Sequence, residues 1–420
     1  MKVLVVGSGG REAALAWKIA QSSEVTEVWV TPHHPATCRL NSKIRSAAFS
    51  IYELILREQF QLAVIGPEIP LSEGVADELR AAGIPTVGPS AAAARLETSK
   101  VFAKDVMKAA GIATARSAEF TNGREAEAFI EMSDWAGVVV KADGPAQGKG
   151  VVVAQDKTEA IAALRGFFDG SWLGTKIPRV LLEEKIQGPE LSVFALCHGL
   201  NFVNLGNARD HKRLKNNDLG PNTGGMGTVA PLTDISVTEQ SFIDGMFEDV
   251  LFEMHKRGTP FTGFLFAGLM RTESGLKVLE FNVRLGDPEA QVLLPLLQDD
   301  LVPWLKGCAT GDFPEGAPEF SSETAVHVVM AAPGYPGTEG QQVLLGHAVK
   351  WQPFPQEKMI VFPAGLALNG AGEWVSRGGR ILGVTALGAT VAEARARALG
   401  AMKEVAFTGA QWRTDIGGVL

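Results

Sequence analysis

A glycine-rich turn between two lysine-bearing strands is the first feature that could do chemistry. The stretch VVVKADGPAQGKGVVVA, residues 138–154, has β-branched runs on both sides of Gly148, with Lys141 before the turn and Lys149 inside it. Glycine lets backbone N–H groups approach phosphate oxygens closely, and each lysine adds a positive charge beside a polyphosphate. The pattern predicts a phosphate-binding loop, and the alternative is an ordinary hairpin whose lysines are solvated.

A pair of oxygen-bearing side chains lies in VLEFNVRLGDPEAQ, residues 278–291. In a strand, Glu280 and Asn282 share one face, and the apolar residues beside them share the other. Two oxygen ligands at this spacing suit Mg²⁺, which keeps waters and shares itself with substrate phosphates. Arg284 extends from the same face and has the charge to bind a phosphate or a carboxylate. The alternative is a polar pair on an exposed strand face.

Two further stretches place charged residues beside turn residues. In LLEEKIQGPELS, residues 181–192, an apolar strand runs into two glutamates, whose backbone could meet an adenine edge while a later glutamate accepts the ribose hydroxyls. In ARDHKRLKNNDLGPNTGGMG, residues 208–227, basic residues precede a glycine-rich loop whose free amides can bind a phosphorylated substrate. The alternatives are a charged strand end and a solvated basic face.

The N-terminal stretch VLVVGSGGREAALAWK, residues 3–18, has the outline of a dinucleotide-binding turn. An apolar strand leads through the glycines at 7–10 into a helix, and amides at such a helix start favour an anion. The dinucleotide fingerprint needs a third glycine, where this chain has Glu12. It also needs an acidic residue after the second strand, where this chain has Thr31. The stretch therefore predicts an anion site without a nicotinamide cofactor.

Length and composition narrow the class of protein. The chain has 420 residues, of which 46% are hydrophobic, so it can form more than one buried core. Its net charge of −8 argues against binding to nucleic acid, and no run approaches the roughly 18 apolar residues that a membrane helix needs. Three widely spaced cysteines indicate reduced thiols, and the N-terminus lacks the pattern of a signal peptide. We expect a soluble cytoplasmic enzyme.

The chain divides into regions with different element patterns. Strands and helices alternate over residues 1–98, with LSEGVADELRAAG as one of the helices, which predicts a parallel sheet covered on both faces. A helix is predicted over 99–111, and a compact α+β unit with a helix near 157–168 follows. Another helix is predicted near 238–256, and a capping box at 390–393 begins the last one.

These features occur in one order, and together they resemble the ATP-grasp fold, in which ATP lies between two α+β lobes and activates a carboxylate as an acyl phosphate. The match is closer still to the phosphoribosylamine–glycine ligase family, also called glycinamide ribonucleotide synthetases. It covers nearly the whole chain, through the motifs VLVVGSGGRE, GPE, SKVFAKD, VVKADG, GKGVVVA, DHKR, GPNTGGMG, EFNVRLGDPE and GGRILGVTALG.

The resemblance implies a mixed α/β and α+β fold with four parts. They are an N-terminal α/β substrate domain (1–98), an ATP-grasp core (99–118 and 188–323), a lid subdomain (119–187) and a C-terminal α+β domain (324–420). The implied reaction, from de novo purine biosynthesis, joins glycine to 5-phosphoribosylamine through a glycyl phosphate. It implies ATP as co-substrate, Mg²⁺ or Mn²⁺ as cofactor, and a monomer.

The family motifs carry site roles onto particular residues. Binding of ATP is implied for Lys104, Lys141, Gly148, Lys149, Glu183, Glu184, Ile186 and Glu190. Metal binding is implied for Glu280 and Asn282, and catalytic roles for Lys212, Arg284 and Asp210. Substrate contacts are implied for Gly9, Gly10, Glu12, Asn222, Thr223, Gly224, Gly225 and Asp287. Among these residues, the turn at 7–12 would face the ribose phosphate of the amine substrate.

The chain departs from the family pattern on the side of the amine substrate. Ala13 stands where the family has histidine, and residues 32–37 read PHHPAT in place of PGNAGT. In the glycine loop, Pro145 and Gln147 replace a small apolar pair. Two alternatives therefore stay open: a related ATP-grasp ligase with a different amine substrate, and a nucleotide-binding module without catalysis. The two histidines of the altered loop either replace the missing histidine or are simply loop residues.

Overall fold

The computed structural model describes residues 1–144, 150–337, 341–352 and 358–418. The first region contains a five-stranded parallel sheet. Its strands are β1 (Lys2–Val6), β2 (Glu27–Thr31), β3 (Ile44–Ser46), β4 (Leu62–Ile65) and β5 (Thr86–Val87), in the spatial order β3-β2-β1-β4-β5. Its helices are α1 (Gly10–Ala20), α2 (Ile51–Arg57), α3 (Glu68–Ser72), α4 (Val75–Ala81) and α5 (Ala91–Thr98), with a 3₁₀ turn at Thr37–Arg39.

The central strand β1 shows why the sheet needs helices on both faces. All four residues from Val3 to Val6 are at most 2% exposed. Val3 and Val5 pack into one apolar cluster with Leu15 of α1, whereas their neighbours pack into another with Leu54 of α2. A parallel strand buried on both faces reads as an unbroken apolar run, as this one does. The predicted doubly covered parallel sheet is confirmed.

The helix boundaries follow from their capping residues. Ser99 accepts a hydrogen bond from the Phe102 N–H and begins α6 (Lys100–Ala109), as the sequence predicts. The predicted helix over 71–83 is wrong as one element, because Gly74 adopts a φ of +87° between α3 and α4. That left-handed conformation interrupts the helical path, and glycine adopts it without the steric cost of a side chain.

A second unit, which we call the lid, follows α6. Its elements are β6 (Ser117–Phe120), α7 (Gly123–Met132), β7 (Val138–Ala142), β8 (Val151–Val153), α8 (Lys157–Asp169) and β9 (Val180–Glu184). The strands form an antiparallel sheet in the order β6-β9-β7-β8. Ile130 of α7 and Phe167 of α8 are fully buried against the sheet residues Val140 and Leu182. The lid therefore has an apolar core of its own.

The rest of the chain is organised around one eight-stranded antiparallel sheet. Before residue 324 its elements are β10 (Glu190–His198), β11 (Asn201–Asp210), β12 (Arg213–Lys215), β13 (Leu219–Asn222), β14 (Gly227–Ala230), α9 (Val237–Lys256), β15 (Thr262–Thr272), β16 (Gly275–Asn282), α10 (Ala290–Leu296) and α11 (Leu301–Thr310), with a 3₁₀ turn at Asn216–Asp218. They continue with β17 (Thr324–Ala331), β18 (Val349–Lys350), β19 (Met359–Pro363), β20 (Leu366–Leu368), β21 (Trp374–Ser376), β22 (Arg380–Gly388), α12 (Val391–Met402) and β23 (Ala406–Phe407).

The large sheet crosses the predicted domain boundary at residue 324. Its spatial order is β16-β15-β10-β11-β14-β17-β22-β19, so β14 from the core pairs directly with β17 from the C-terminal region. Thr390 caps α12 by accepting from the Glu393 N–H, and the Glu393 carboxylate accepts from the Ala389 N–H, so the predicted start of this helix is confirmed. In the described part of the chain, no helix is long and apolar enough to cross a bilayer. Its three cysteines are free.

Candidate active site

The predicted nucleotide and metal residues meet at a cavity of about 630 Å³ between the lid and the core. It is enclosed by the ends of α5 and α6, by β7 and β9 of the lid, and by the end of β16. Its charged and amide-bearing lining residues are Glu68, Glu97, Lys100, Lys104, Lys141, Glu183, Glu280, Asn282 and Arg284. We call it the first cavity. The predicted loop residues Gly148 and Lys149 lie outside the described residues.

Two buried lysines and one glutamate meet at the first cavity, Lys104 from α6 and the other two from the lid. The Glu183 carboxylate lies 3.4 Å from Lys104 Nζ and 2.9 Å from Lys141 Nζ. The sequence predicts Glu183 beside an adenine, whereas its side chain lies between the two lysines. Burial lowers the pKa of Lys104 to about 8, against the attraction of Glu183. Two ammonium groups share one carboxylate, which leaves a net positive charge suited to phosphate.

A β-bulge sets the geometry of the opposite wall. Gly268 of β15 pairs with Glu280, but the next residue of β15 pairs with Val278, so Leu279 is left unpaired. Its carbonyl oxygen accepts a hydrogen bond from Lys141 Nζ at 3.4 Å. The predicted alternation of faces holds for Phe281, which packs in the core, but fails for the bulged Leu279, which lines the cavity. Glu280 and Asn282 both line the first cavity, and their role as metal ligands stays a prediction.

Electrostatics keep Glu280 ionised. Burial would raise the pKa of this carboxyl, but the nearby cations Lys212, Lys100, Lys141 and Arg284 outweigh it, and the pKa is lowered. The Asn282 amide oxygen accepts from Arg284 at 3.3 Å, while its buried amide nitrogen has no hydrogen-bond partner in the part of the chain that the structure describes.

The Glu280 carboxylate and the Asn282 amide oxygen, which has a second lone pair beside the one that accepts from Arg284, fit a divalent cation that takes its other ligands from phosphates and water. Among the described residues, no group of three or more His, Cys, Asp and Glu side chains is arranged to hold a metal. The two ligands proposed from the sequence thus provide a shared site rather than a closed protein cage.

Arg284 connects the first cavity to the N-terminal sheet domain. Its guanidinium lies 3.0 Å from Glu68 and 2.9 Å from Glu97. Burial would lower the pKa of Arg284, but these two carboxylates outweigh it and the pKa is raised. Burial also raises the pKa of Glu97. Glu97 is a site residue that the sequence did not single out, because it ends an ordinary amphipathic helix.

Of the residues predicted beside the adenine and the ribose, Glu183 lines the first cavity, whereas Glu184, Ile186 and Glu190 do not. The Glu184 carboxylate forms two hydrogen bonds with Arg116, both at 3.0 Å. Glu190 pairs with Lys212 at 2.7 Å, although the sequence assigns them to the ribose and to the transferred phosphate. Ile186 lies in the connection between β9 and β10. These residues lie at the connection between β9 of the lid and β10 of the core.

A second cavity, of about 510 Å³, lies between the N-terminal and C-terminal regions. The predicted residues Gly9, Gly10 and Asp287 line it. Residues that the sequence did not single out also line it, namely Tyr335, Ala364, Gly365, Leu366, Arg377, Gly378, Gly379 and Arg380. The predicted residue Glu12 does not. Its buried carboxylate accepts from the Gly9 N–H and from Arg11, both at 2.6 Å, and so fixes the turn at the start of α1.

The glycine-rich loop at 222–225 lies at the rim of the second cavity. The Gly224 carbonyl accepts from Arg380 at 2.6 Å, and its N–H donates to the Tyr335 hydroxyl at 3.0 Å. Thr223 is anchored to the Lys212 carbonyl at 2.8 Å, and Asn222 pairs with Arg213 across the β12–β13 hairpin. The loop thereby joins the core to the C-terminal region.

Two buried carboxylates lie behind this loop. One oxygen of the Asp210 side chain has no hydrogen-bond partner among the described residues, and burial together with the charge of Glu289 raises the pKa of this carboxyl. Glu289 accepts from Ser192 at 3.1 Å. A Cβ on Gly225 would lie 2.7 Å from Asp210 Oδ1 and 2.4 Å from Pro288, so only glycine fits. Glu289 was not singled out from the sequence, although the motif GDPE contains it.

The C-terminal tail holds the β12–β13 hairpin in place. The side chain of Arg413 is fully buried and ion-paired with Asp218 at 2.6 Å and Asp415 at 2.7 Å. Asp415 in turn accepts from the Asn217 N–H at 2.8 Å. Because Lys212 and Thr223 flank this hairpin, the tail supports the loop at the rim of the second cavity.

The arrangement of a lid over a lysine-lined cavity with an acidic strand opposite defines an ATP-grasp protein. A biotin carboxylase from Campylobacter jejuni, solved with β-γ-ATP, superposes with a TM-score of 0.76 over 99% of this chain and 94% of that chain, at 13% identity. At that identity the likeness shows the fold alone. The predicted fold class is therefore confirmed.

Family models identify the branch within this class. The models described as phosphoribosylglycinamide synthetase N domain, ATP-grasp (A) domain and C domain match residues 1–97, 98–290 and 325–419. The chain belongs to the phosphoribosylglycinamide synthetase family. This confirms the resemblance seen in the sequence motifs.

Relatives across nearly the full length agree with this assignment. A phosphoribosylamine–glycine ligase from Rhizobium meliloti is 42% identical over 99% of this chain and 98% of its own length. A human trifunctional purine biosynthetic protein, adenosine-3, is 41% identical over 99% of this chain and 42% of its own length. The crystal structure of a phosphoribosylamine–glycine ligase from Thermotoga maritima has a TM-score of 0.86 at 34% identity, covering 99% of this chain and 100% of that chain.

Proposed function

We propose that this protein is an ATP-dependent ligase that joins glycine to 5-phosphoribosylamine and releases ADP and phosphate. The observation that carries the proposal is the pair of cavities, one suited to a nucleotide and one to a phosphorylated substrate; Arg284 lines the first, and Asp287, three residues later, lines the second. The names of the full-length relatives support this reaction. Cytoplasmic location and a monomeric state stay predictions.

ATP would bind with its phosphates in the first cavity. Lys104 and Lys141 would contact the phosphates, and Glu190 would accept the ribose hydroxyls after exchanging its bond with Lys212. Glu280 and Asn282 would hold Mg²⁺ or Mn²⁺, which when bound neutralises phosphate charge during transfer. Lys212 is close enough to lower the pKa of Glu280, which supports its assignment to the transferred phosphate.

In the first step, a glycine carboxylate oxygen attacks the γ-phosphorus, and the bond between that phosphorus and the bridging oxygen of ADP breaks. Arg284 would hold the glycine carboxylate, since it lines the first cavity with its charge directed to carboxylates already. The unpartnered oxygen of Asp210 would accept from the glycine ammonium group. These residues act by positioning and by charge stabilisation, which is how most phosphoryl transfer is accelerated.

In the second step, the amine nitrogen of 5-phosphoribosylamine attacks the glycyl carbonyl carbon. The C–O bond to phosphate breaks, phosphate leaves, and the nitrogen loses a proton. The amine substrate would bind in the second cavity with its phosphate near Gly9 and Gly10, at the start of α1, since a helix N-terminus favours an anion. Arg377 and Arg380 add positive charge there, and Asp287, which lines the same cavity 3.2 Å from Arg380, would accept from the amine.

A second candidate is a related ligase that activates a carboxylate but uses another amine. It is favoured by one observation: the altered loop at 32–37 lines the second cavity with His33 and His34, whereas the first cavity keeps the family residues Lys104, Lys141, Glu183, Glu280 and Asn282.

Phosphate release distinguishes the two candidates. The purified protein is given ATP, Mg²⁺ and glycine, with and without 5-phosphoribosylamine generated in the assay, and products are identified by mass spectrometry. Release that needs both substrates, with glycinamide ribonucleotide formed, supports the proposal. Release that is indifferent to 5-phosphoribosylamine favours another amine. Glu280→Ala is the control, since unchanged turnover in that variant would contradict catalysis in the first cavity altogether.

A further inference from the structure

The histidine pair of the altered loop is built into the second cavity. We infer that His34 locks this loop to the C-terminal region and that His33 supplies a hydrogen-bond donor to the phosphate group of the amine substrate. The inference rests on the proposed function and extends it to two residues that depart from the family pattern. His33 and His34 both line the second cavity, opposite Arg377 and Arg380.

The hydrogen bonds of His34 define its tautomer. Its Nε2 lies 2.7 Å from the Ala364 carbonyl oxygen, which can only accept, so Nε2 carries the proton. Nδ1 is then bare and accepts from the Thr37 hydroxyl at 2.5 Å. The residue is 4% exposed, and burial lowers the pKa of His34 to about 4. A neutral imidazole with both nitrogens satisfied therefore joins the loop to the connection between β19 and β20.

Two hydrogen bonds through the Ser46 hydroxyl connect His34 to His33. The His34 N–H donates to Ser46 Oγ at 2.6 Å, and Ser46 Oγ lies 3.1 Å from His33 Nδ1. The Ser46 hydroxyl hydrogen has no other acceptor among the described residues, and donation to His33 Nδ1 satisfies it. We assign that direction to the bond, which leaves an N–H at His33 Nε2, and this N–H has no hydrogen-bond partner in the described part of the chain.

The surroundings of this free donor suit a phosphate ester. The start of α1 contributes Gly9 and Gly10 to the same cavity, and helix N-termini favour anions. Arg377 adds a full positive charge, while the charge of Arg380 is partly met by Asp287 at 3.2 Å. His33 is exposed to solvent, so its N–H is available to a bound molecule. A donor placed by a buried lock is better ordered than one on an unsupported loop.

The test for His33 is a comparison of KM values among three variants of the whole protein. His33→Ala should raise KM for 5-phosphoribosylamine roughly tenfold or more, as expected for a lost hydrogen bond to a charged group. KM for ATP and for glycine should stay unchanged. His33→Gln, whose amide nitrogen can replace Nε2–H, should recover most of the loss. His255→Ala, on the far end of α9, is the matched control and should leave all three KM values unchanged.

His34 is tested by the same assay with a pair of shape-matched variants. His34→Gln keeps an N–H that can reach the Ala364 carbonyl and should stay near the parent KM for the amine. His34→Leu fills the space without a donor and should raise that KM as His33→Ala does. If His34→Leu fails to fold, the test rests on His34→Gln alone. A raised KM for the amine substrate in that variant would contradict the proposed lock.

Calorimetric titration with ribose 5-phosphate provides a readout that does not depend on activity. Its affinity should fall in His33→Ala by the same factor as the KM rises. Turnover of 5-phosphoribosylamine with no change in that affinity or KM would overturn the inference and leave the proposed function standing. Lack of turnover with 5-phosphoribosylamine, but weaker ribose 5-phosphate binding in His33→Ala, would support the donor while refuting the proposed amine.

Discussion

Replacing Glu183 by glutamine removes the one carboxylate between Lys104 and Lys141 while keeping its shape. The three side chains are 4%, 8% and 8% exposed, so water cannot substitute for the lost charge. Breaking a buried ion pair costs about 3–5 kcal/mol, and glutamine retains some hydrogen bonding, so we expect about 3 kcal/mol. At about 1.4 kcal/mol per factor of ten, the equilibrium for local unfolding of the paired lid strands β7 and β9 should rise roughly 150-fold.

Hydrogen exchange followed by mass spectrometry measures this unfolding equilibrium directly, through the exchange rates of the backbone amides in β7 and β9. Glu184→Gln is the matched control, because it removes a neighbouring carboxylate whose partner, Arg116, is 54% exposed. An exposed pair contributes about 1 kcal/mol or less, so exchange there should change by no more than about fivefold. Equal effects from the two variants, or unchanged protection in Glu183→Gln, would refute the idea that burial gives this carboxylate its importance.

Other perturbations test other parts of the site. The pKa of Lys104 is lowered to about 8, so this lysine loses its proton above that pH. The affinity for ATP, measured by calorimetry, should therefore fall above pH 8, whereas the Lys104→Arg variant should keep its affinity. Gly225→Ala should abolish turnover because its Cβ meets Pro288 and Asp210, whereas Gly245→Ala, with open space around it inside α9, should stabilise by about 0.5–1 kcal/mol in urea denaturation. Arg413→Ala should destabilise by about 3 kcal/mol and raise substrate KM values, whereas the exposed control Lys403→Ala should do neither.

Local chemistry made parts of the fold predictable. The helix starts at Ser99 and Thr390 could be predicted, because a serine or threonine just before an apolar helical pattern is typical of an N-cap. The unbroken apolar run of β1 indicated a strand covered on both faces. The break at Gly74 was not predicted, because the sequence does not indicate the φ angle of a glycine that lies inside a helical pattern.

The arrangement of site residues could be predicted only where those residues lie close together in the sequence. Glu280 and Asn282 share a strand, so their common direction could be inferred, but the bulge at Leu279 depends on pairing with β15 and has no local signal. Glu183 joins two lysines that lie 79 and 42 residues earlier in the chain. Arg380 is far along the chain from Gly9 and Gly10, which line the same cavity. Its position there follows from the pairing of β17 with β22, which no single segment encodes.

The direct pairing of β14 with β17 also limits how this protein can be cut. The family models end one domain at residue 290 and begin the next at 325, as if the pieces were modular. In the folded chain, however, a polypeptide that stopped before Thr324 would leave the N–H and C=O groups of β14 facing β17 unsatisfied along an apolar edge. Such an edge recruits strands from other molecules. Truncation at that boundary should therefore yield aggregates in place of a smaller working enzyme, and natural fusions should extend the chain at its ends.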